Sequence, residues 1–195
     1  MLTLILAGTY GDYRYSNNPV MYSNAENGTD LGLYGQTDVR QIVYWKNFFV
    51  AGSPQAAGTL GLRFNHDFWW VNINANYFDK IFIRINPDRR TTAARGTLDL
   101  TKPEELEQYH QIVDQVQMKG QFTLDLSVSK SWRIKRSTIG FNISVTNILN
   151  NKNLVTTAWE NYRFDYNTLD ISRYQNKYYY AFGTTFFAGI NFTFN

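Results

Sequence analysis

Few groups in this chain are spaced for chemistry, and each has a plainer reading beside the functional one. His66 stands in an Asn65-His66-Asp67 turn and His110 on a stretch of helical periodicity. Both are isolated, and the chain has no cysteine, so neither a metal site nor a general base is expected. Glu104, Glu105 and Glu107 read as the acidic first turn of a helix. No nucleophile with a base, no glycine loop for a phosphate and no paired carboxylates stand out, which points away from an enzyme and from a bound cofactor. Two groups remain as candidates for contact with a ligand or partner. Asp88, Arg89 and Arg90 follow a strand-like run, and Trp159, Tyr162, Phe164 and Tyr166 crowd one loop. Aromatic rings of this kind suit the C–H faces of sugars, although packing against other loops is the commoner use.

The elements that would hold these residues are strands. In residues 178–195, Tyr178, Tyr180, Phe182, Phe186, Ala188, Ile190, Phe192 and Phe194 recur at every second place, interrupted by Thr184. Such a run is longer than the roughly 5 or 6 residues of a typical globular strand and suits the about 9 to 11 of a tilted transmembrane strand. Trp69, Val71, Ile73, Ala75 and Tyr77 alternate with Trp70, Asn72, Asn74 and Asn76, a pattern read as continuing through Ile81, Ile83 and Ile85. Phe122, Leu124, Leu126 and Val128 alternate with Thr123, Asp125, Ser127 and Ser129, and Ile139, Phe141, Ile143 and Val145 with Gly140, Asn142, Ser144 and Thr146. A carboxylate at Asp125 is too costly on a lipid face, so the polar side is assigned to a wet lumen.

Composition fits this reading. Aromatics make up 17% and charged residues 18%, where roughly 25% charged is typical of soluble domains. No run of about 18 apolar residues exists for a helical span. The net charge of +3 is modest and its basic residues are scattered, which gives nucleic-acid binding no support. The expected fold is an all-β antiparallel transmembrane β-barrel segment, an incomplete barrel of about seven long strands. They are placed at residues 2–17, 39–52, 59–64, 69–85, 121–132, 139–146 and 178–195, with a short helix from Pro103 to about Gln117 in an extracellular loop, its capping box starting at Thr101. The strand count leaves a misfit of parity: the long 18–38 connection falls on the short-turn side, and the short turn at residues 52–55 on the long-loop side. A soluble carbohydrate-binding β-sandwich and a small self-contained outer-membrane barrel of porin or adhesion type are the alternatives.

The stretches FNISVTNILNNKN, YRFDY (162–166), KYYYAFGTTFF (177–187), NYFDKIFIRINPDRRT (76–91) and AGSPQAAGTLGLRF (51–64) together resemble the C-terminal barrel of SusC/RagA-type TonB-dependent outer-membrane transporters of Bacteroidetes. That resemblance implies a barrel of about 22 strands in the complete receptor, of which residues 1–195 would be the C-terminal part, with plug, N-terminal strands and signal peptide outside it. It implies import of oligosaccharides, peptides or similar nutrients. It also implies outer-membrane lipids, the barrel-assembly machinery, a SusD-like lipoprotein and TonB as partners, a cell outer membrane location and a periplasmic C-terminus. Gly189, Phe192 and Phe194 resemble the assembly signal of such barrels, from which Phe187 and Asn195 depart. Arg89, Arg90, Trp159, Tyr162 and Tyr166 are the loop residues that would meet cargo or lipoprotein.

Overall fold

The computed structural model of the chain describes residues 1–24 and 38–194. In chain order its elements are β1 (Leu2–Tyr10), β2 (Val20–Asn24), β3 (Asp38–Ile42), β4 (Ala56–His66), β5 (Trp69–Asp79), β6 (Ile81–Phe82), α1 (Pro103–Val113), β7 (Gln117–Met118), β8 (Gln121–Ile134), β9 (Ser137–Thr146), β10 (Val155–Trp159), β11 (Lys177–Tyr180) and β12 (Thr185–Phe194). Six long strands form one antiparallel sheet in the order β1-β4-β5-β8-β9-β12, while β2-β3, β6-β7 and β10-β11 make three small pairs. The sheet is open, with β1 and β12 at its edges.

Register puts the alternation of each strand in phase with the next. Leu4, Leu62, Ile73, Leu126, Val145 and Phe186 stand in one row across all six strands. Thr3, Arg63, Asn72, Ser127 and Ser144 form the adjacent row on the other face, which ends in Phe187. A slip of one residue in any pair would mix the faces, so the period of two fixes the pairing.

Both strand-to-strand turns at one end are tight. Asp67 and Phe68 close β4 to β5 with φ of 46° and 60°, the positive pair required by the hairpin turn that matches strand twist. Lys135 (φ 55°) and Arg136 close β8 to β9. The long connections 11–55, 80–120 and 147–184 all leave from the opposite end.

Three expectations are corrected. The aromatic stretch 39–52 is not a long strand: only Asp38–Ile42 is extended, paired with Val20–Asn24, and the chain then turns through Asn47 at φ 70°. Six long strands therefore replace the expected seven, and the parity misfit goes with the seventh, because 11–55 is a single excursion at the long-loop end. Most of the expected 18–38 connection, and Asn195, lie outside the described residues. The runs 69–85 and 178–195 are each broken. Lys80, at φ 51°, turns β5 away from β6, and residues 181–184 separate β11 from β12. Last, α1 ends at Val113, and its N-cap position is Lys102; the Thr101 hydroxyl instead donates to Asp99 Oδ1 (2.7 Å).

The buried hydrophobic residues sit apart from the sheet face. Val43, Ile81, Phe82, Ile83, Ile85, Ala94, Ile112, Leu154, Ala158 and Leu169, all in the connections, make up the core. The apolar rows are open instead, with Leu6 80% and Ile190 79% exposed at the edges and Leu62 45% exposed within the sheet. Aromatics mark both ends of that open face: Tyr10, Tyr77 and Phe122 toward the long connections, and Trp69, Trp132, Phe192 and Phe194 toward the tight turns.

Candidate functional site: a loop cap and the cleft beneath it

The three long connections are locked into one cap by specific polar contacts. Gln115 exchanges two hydrogen bonds with the Phe49 backbone: Phe49 N donates to Gln115 Oε1 (2.8 Å), and Gln115 Nε2 donates to Phe49 O (2.6 Å). The Phe49 ring stacks on Phe82 at 4.2 Å, and the Arg14 guanidinium lies 3.8 Å from the Phe49 ring centre. These contacts join the first connection to the second.

The second and third are joined by a buried charge cluster. Glu160 (0% exposed) accepts from both Nη atoms of Arg90, with Nη2 at 2.6 Å from Oε1, and from the Asn86 backbone N at 2.8 Å; Arg89 Nη1 lies 3.7 Å away. The same two arginines cap α1. Arg89 donates to the carbonyls of Gln111 (2.8 Å) and Ile112 (2.9 Å), and Arg90 to those of Val113 (2.9 Å) and Asp114 (2.9 Å). The carbonyls left orphaned where a helix stops are thus satisfied by cations, which its negative end also favours. A parallel bridge between Arg84 and Trp159 and the packing of Ala94 and Ile112 on Leu169 complete the joint.

The candidate contact residues separate into two groups. Arg89 and Arg90 are 3% and 2% exposed with their donors committed inside the cap, so the expectation that they meet cargo or a lipoprotein gives way to a structural role. Trp159 stacks on Tyr179 at 5.1 Å, a packing role. Tyr166 is half-buried, and burial together with the neighbouring Asp88 carboxylate pushes its phenol above the usual range; burial likewise pushes the Asp88 carboxyl up. Tyr162 alone of the five is exposed, at 60%. His66 ends β4 at the tight-turn side of the sheet and His110 lies on α1 in the cap, 3.3 Å from Asp114; among the described residues no cluster of metal-ligating side chains occurs.

On the polar face one asparagine of the row, Asn76, is tied into a side-chain network, while the buried Asn72 Oδ1 has no partner among the described residues. Asn76 accepts from Thr59 Oγ1 (2.8 Å) and donates to Thr123 Oγ1 (3.1 Å) and Asp125 Oδ2 (2.9 Å), while Asp125 Oδ1 accepts from Asn147 N (2.8 Å). Asn142 and Gly189 are cross-strand partners, and a Cβ at Gly189 would stand 2.6 Å from Asn142 Oδ1. That close approach supplies a local reason for Gly189. Phe192 and Phe194 meet edge-on at 4.3 Å on the opposite, apolar face.

Where cap meets sheet, a cleft of about 430 Å³ opens on the polar-face side of β5 and β8. Phe78, Gln121 and Thr123 form its sheet wall; Pro54, Ile81, Phe82, Leu154 and Val155 its apolar wall; and Arg84, Thr156 and Thr157 its polar atoms. Arg84 is exposed and makes no salt bridge among the described residues. A second depression of about 510 Å³ lies between β7 and the β10-β11 pair, lined by Lys119, Asn151, Tyr178 and Tyr180. Glu160 and Arg84 were not singled out in the sequence. The available signal was a charge inside an otherwise uncharged or apolar run: Arg84 between Ile83 and Ile85, and Glu160 in VTTAWENY.

No family model, no curated protein and no solved structure significantly matches the chain.

Proposed function

We propose that this chain is a section of an outer-membrane β-barrel belonging to a TonB-dependent nutrient importer of the SusC/RagA kind, with its long loops external and its tight turns periplasmic. One observation carries the membrane half of the reading: two apolar rows, through Val71 and through Ile73, run unbroken across six strands with no described residue packed over them, while the buried core lies in the loops. A water-soluble sandwich places a second layer on such a face. Hydrocarbon requires no such layer. The aromatic bands support it too, since Tyr77 lies eight residue steps beyond Trp69, about 26 Å along the strand at roughly 3.3 Å per residue. That length, shortened by tilt, approaches the apolar band of about 25 Å in outer-membrane barrels.

The open edges favour a larger barrel over a small self-contained one. Unpaired backbone groups are too costly in hydrocarbon, so β1 and β12 call for further strands, and closed barrels of this class have about eight or more. The importer half rests on the sequence resemblance and on the locked cap over a polar-face cleft.

Fluorescence of single-tryptophan variants, in protein reconstituted with brominated phospholipid, tests the reading. Trp69 and Trp132 are expected to be strongly quenched, Trp70 and Trp159 weakly. Equal quenching of all four, or none, would sink the membrane assignment. Uptake that survives collapse of the proton gradient in cells carrying the complete receptor would sink the importer assignment alone.

A further inference from the structure

The cleft under the cap combines an apolar wall with one cation. Among the described residues lining it there is no carboxylate, and Arg84 is its single charged group. Its backbone is fixed on both sides, because Arg84 N donates to Ala158 O (3.0 Å) and Arg84 O accepts from Glu160 N (2.8 Å). Among the described residues the guanidinium has no internal acceptor. Gly52, at φ 88°, lets the first connection pass beside it; a Cβ there would sit 3.7 Å from Arg84 Nε. In the same cap Arg89 and Arg90 are fully committed, so the protein spends two arginines on structure and leaves a third facing an apolar pocket.

We infer that this cleft binds a small organic anion with an apolar body, its carboxylate paired with Arg84 and its hydrocarbon or aromatic part against Phe82, Ile81 and Leu154. Charge complementarity selects the anion: a guanidinium forms its strongest hydrogen bonds with a carboxylate, and next to apolar walls the pair is poorly screened. Thr157 supplies a neutral hydroxyl beside it, whereas the Thr156 hydroxyl donates to Tyr179 O (3.1 Å) and Gln121 Nε2 to Val155 O (3.3 Å), which holds that side of the cleft in place. The inference deepens the importer reading by naming the ligand class of its inner cleft, and it rests on that reading only for the route by which the ligand arrives.

Titration of the full chain in detergent with 3-phenylpropionate and with the uncharged 3-phenylpropionamide, followed by saturation-transfer NMR, tests it without any transport step. The acid is expected to bind saturably and at least about tenfold more tightly than the amide. Arg84→Gln should remove that preference and Arg84→Lys should restore part of it, with the β-sheet circular dichroism signal unchanged in both. Because Arg84 is exposed and its structural bonds are all from the backbone, neither change threatens the fold. Equal binding of acid and amide, an unaltered preference in Arg84→Gln, or no saturable binding because protein fills the cleft would each overturn the inference, while leaving the lipid-quenching result untouched.

Discussion

At the residue scale the decisive group is Glu160, a fully buried carboxylate facing two buried arginines. Removing one member of such a cluster leaves uncompensated charge away from water, which costs about 3 to 5 kcal/mol. Glu160→Ala is therefore expected to loosen the cap by that amount, read as faster amide exchange in α1 while the β4-β5-β8 amides stay protected. Gly189 invites a second substitution. A Val there meets the Asn142 side chain and should destabilise the β9-β12 pair by about 1 to 3 kcal/mol. Pairing it with Asn142→Gly should recover most of the loss in a double-mutant cycle of chemical unfolding; additivity of the two changes would show that the contact is not the cause.

At the element scale, the strands and the cap obey different rules. Each strand is specified by its own alternation, and its ends by residues at positive φ such as Phe68, Lys80 and Lys135. The cap is specified by long-range polar contacts whose charge state matters. Burial holds the Asp88 carboxyl above its unfolded value of about 3.9, so its ionisation opposes folding. The sign follows: the cap has the benefit of neutral Asp88 below about pH 3.9 and loses it as pH rises through the raised value. Asp165 and Asp170, held low by backbone hydrogen bonds from Asn167 and by the Ser172 hydroxyl respectively, act in the opposite direction and lose their contribution as pH falls. Asp88→Asn is thus expected to raise the thermal stability of the cap at pH 7 and to leave it unchanged near pH 3, checked by melting curves at the two values.

At the scale of the whole molecule, the apolar side of the sheet faces outward and the hydrophobic core lies off to one end. That arrangement is stable only where the outward side meets hydrocarbon or another apolar surface. Ile73 lies in the middle row of that side, and Ile73→Arg is expected to cost about 2 to 4 kcal/mol in a bilayer. Thr9→Arg, on the polar face opposite Ala57, should stay within about 0.5 kcal/mol. Refolding into phospholipid vesicles with urea titration measures both, and equal costs would mean that the two faces meet the same medium.

The sequence by itself determined the strands and their faces. A period of two is a local property, and side chains such as Leu124 and Thr123 declare their face without reference to any partner. The tight turns were legible for the same reason. What only the tertiary structure decided is where the alternation stops being sheet: Ile83, Tyr180 and Trp45 carry the same apolar signal as their neighbours, yet they belong to the cap because distant groups capture them. The fate of Arg89 and Arg90 was equally illegible, since a basic pair at a strand end looks alike in sequence whether it faces solvent or a carboxylate 70 positions away. Local pattern fixes local conformation, whereas burial of a charge depends on which partner the fold brings to it.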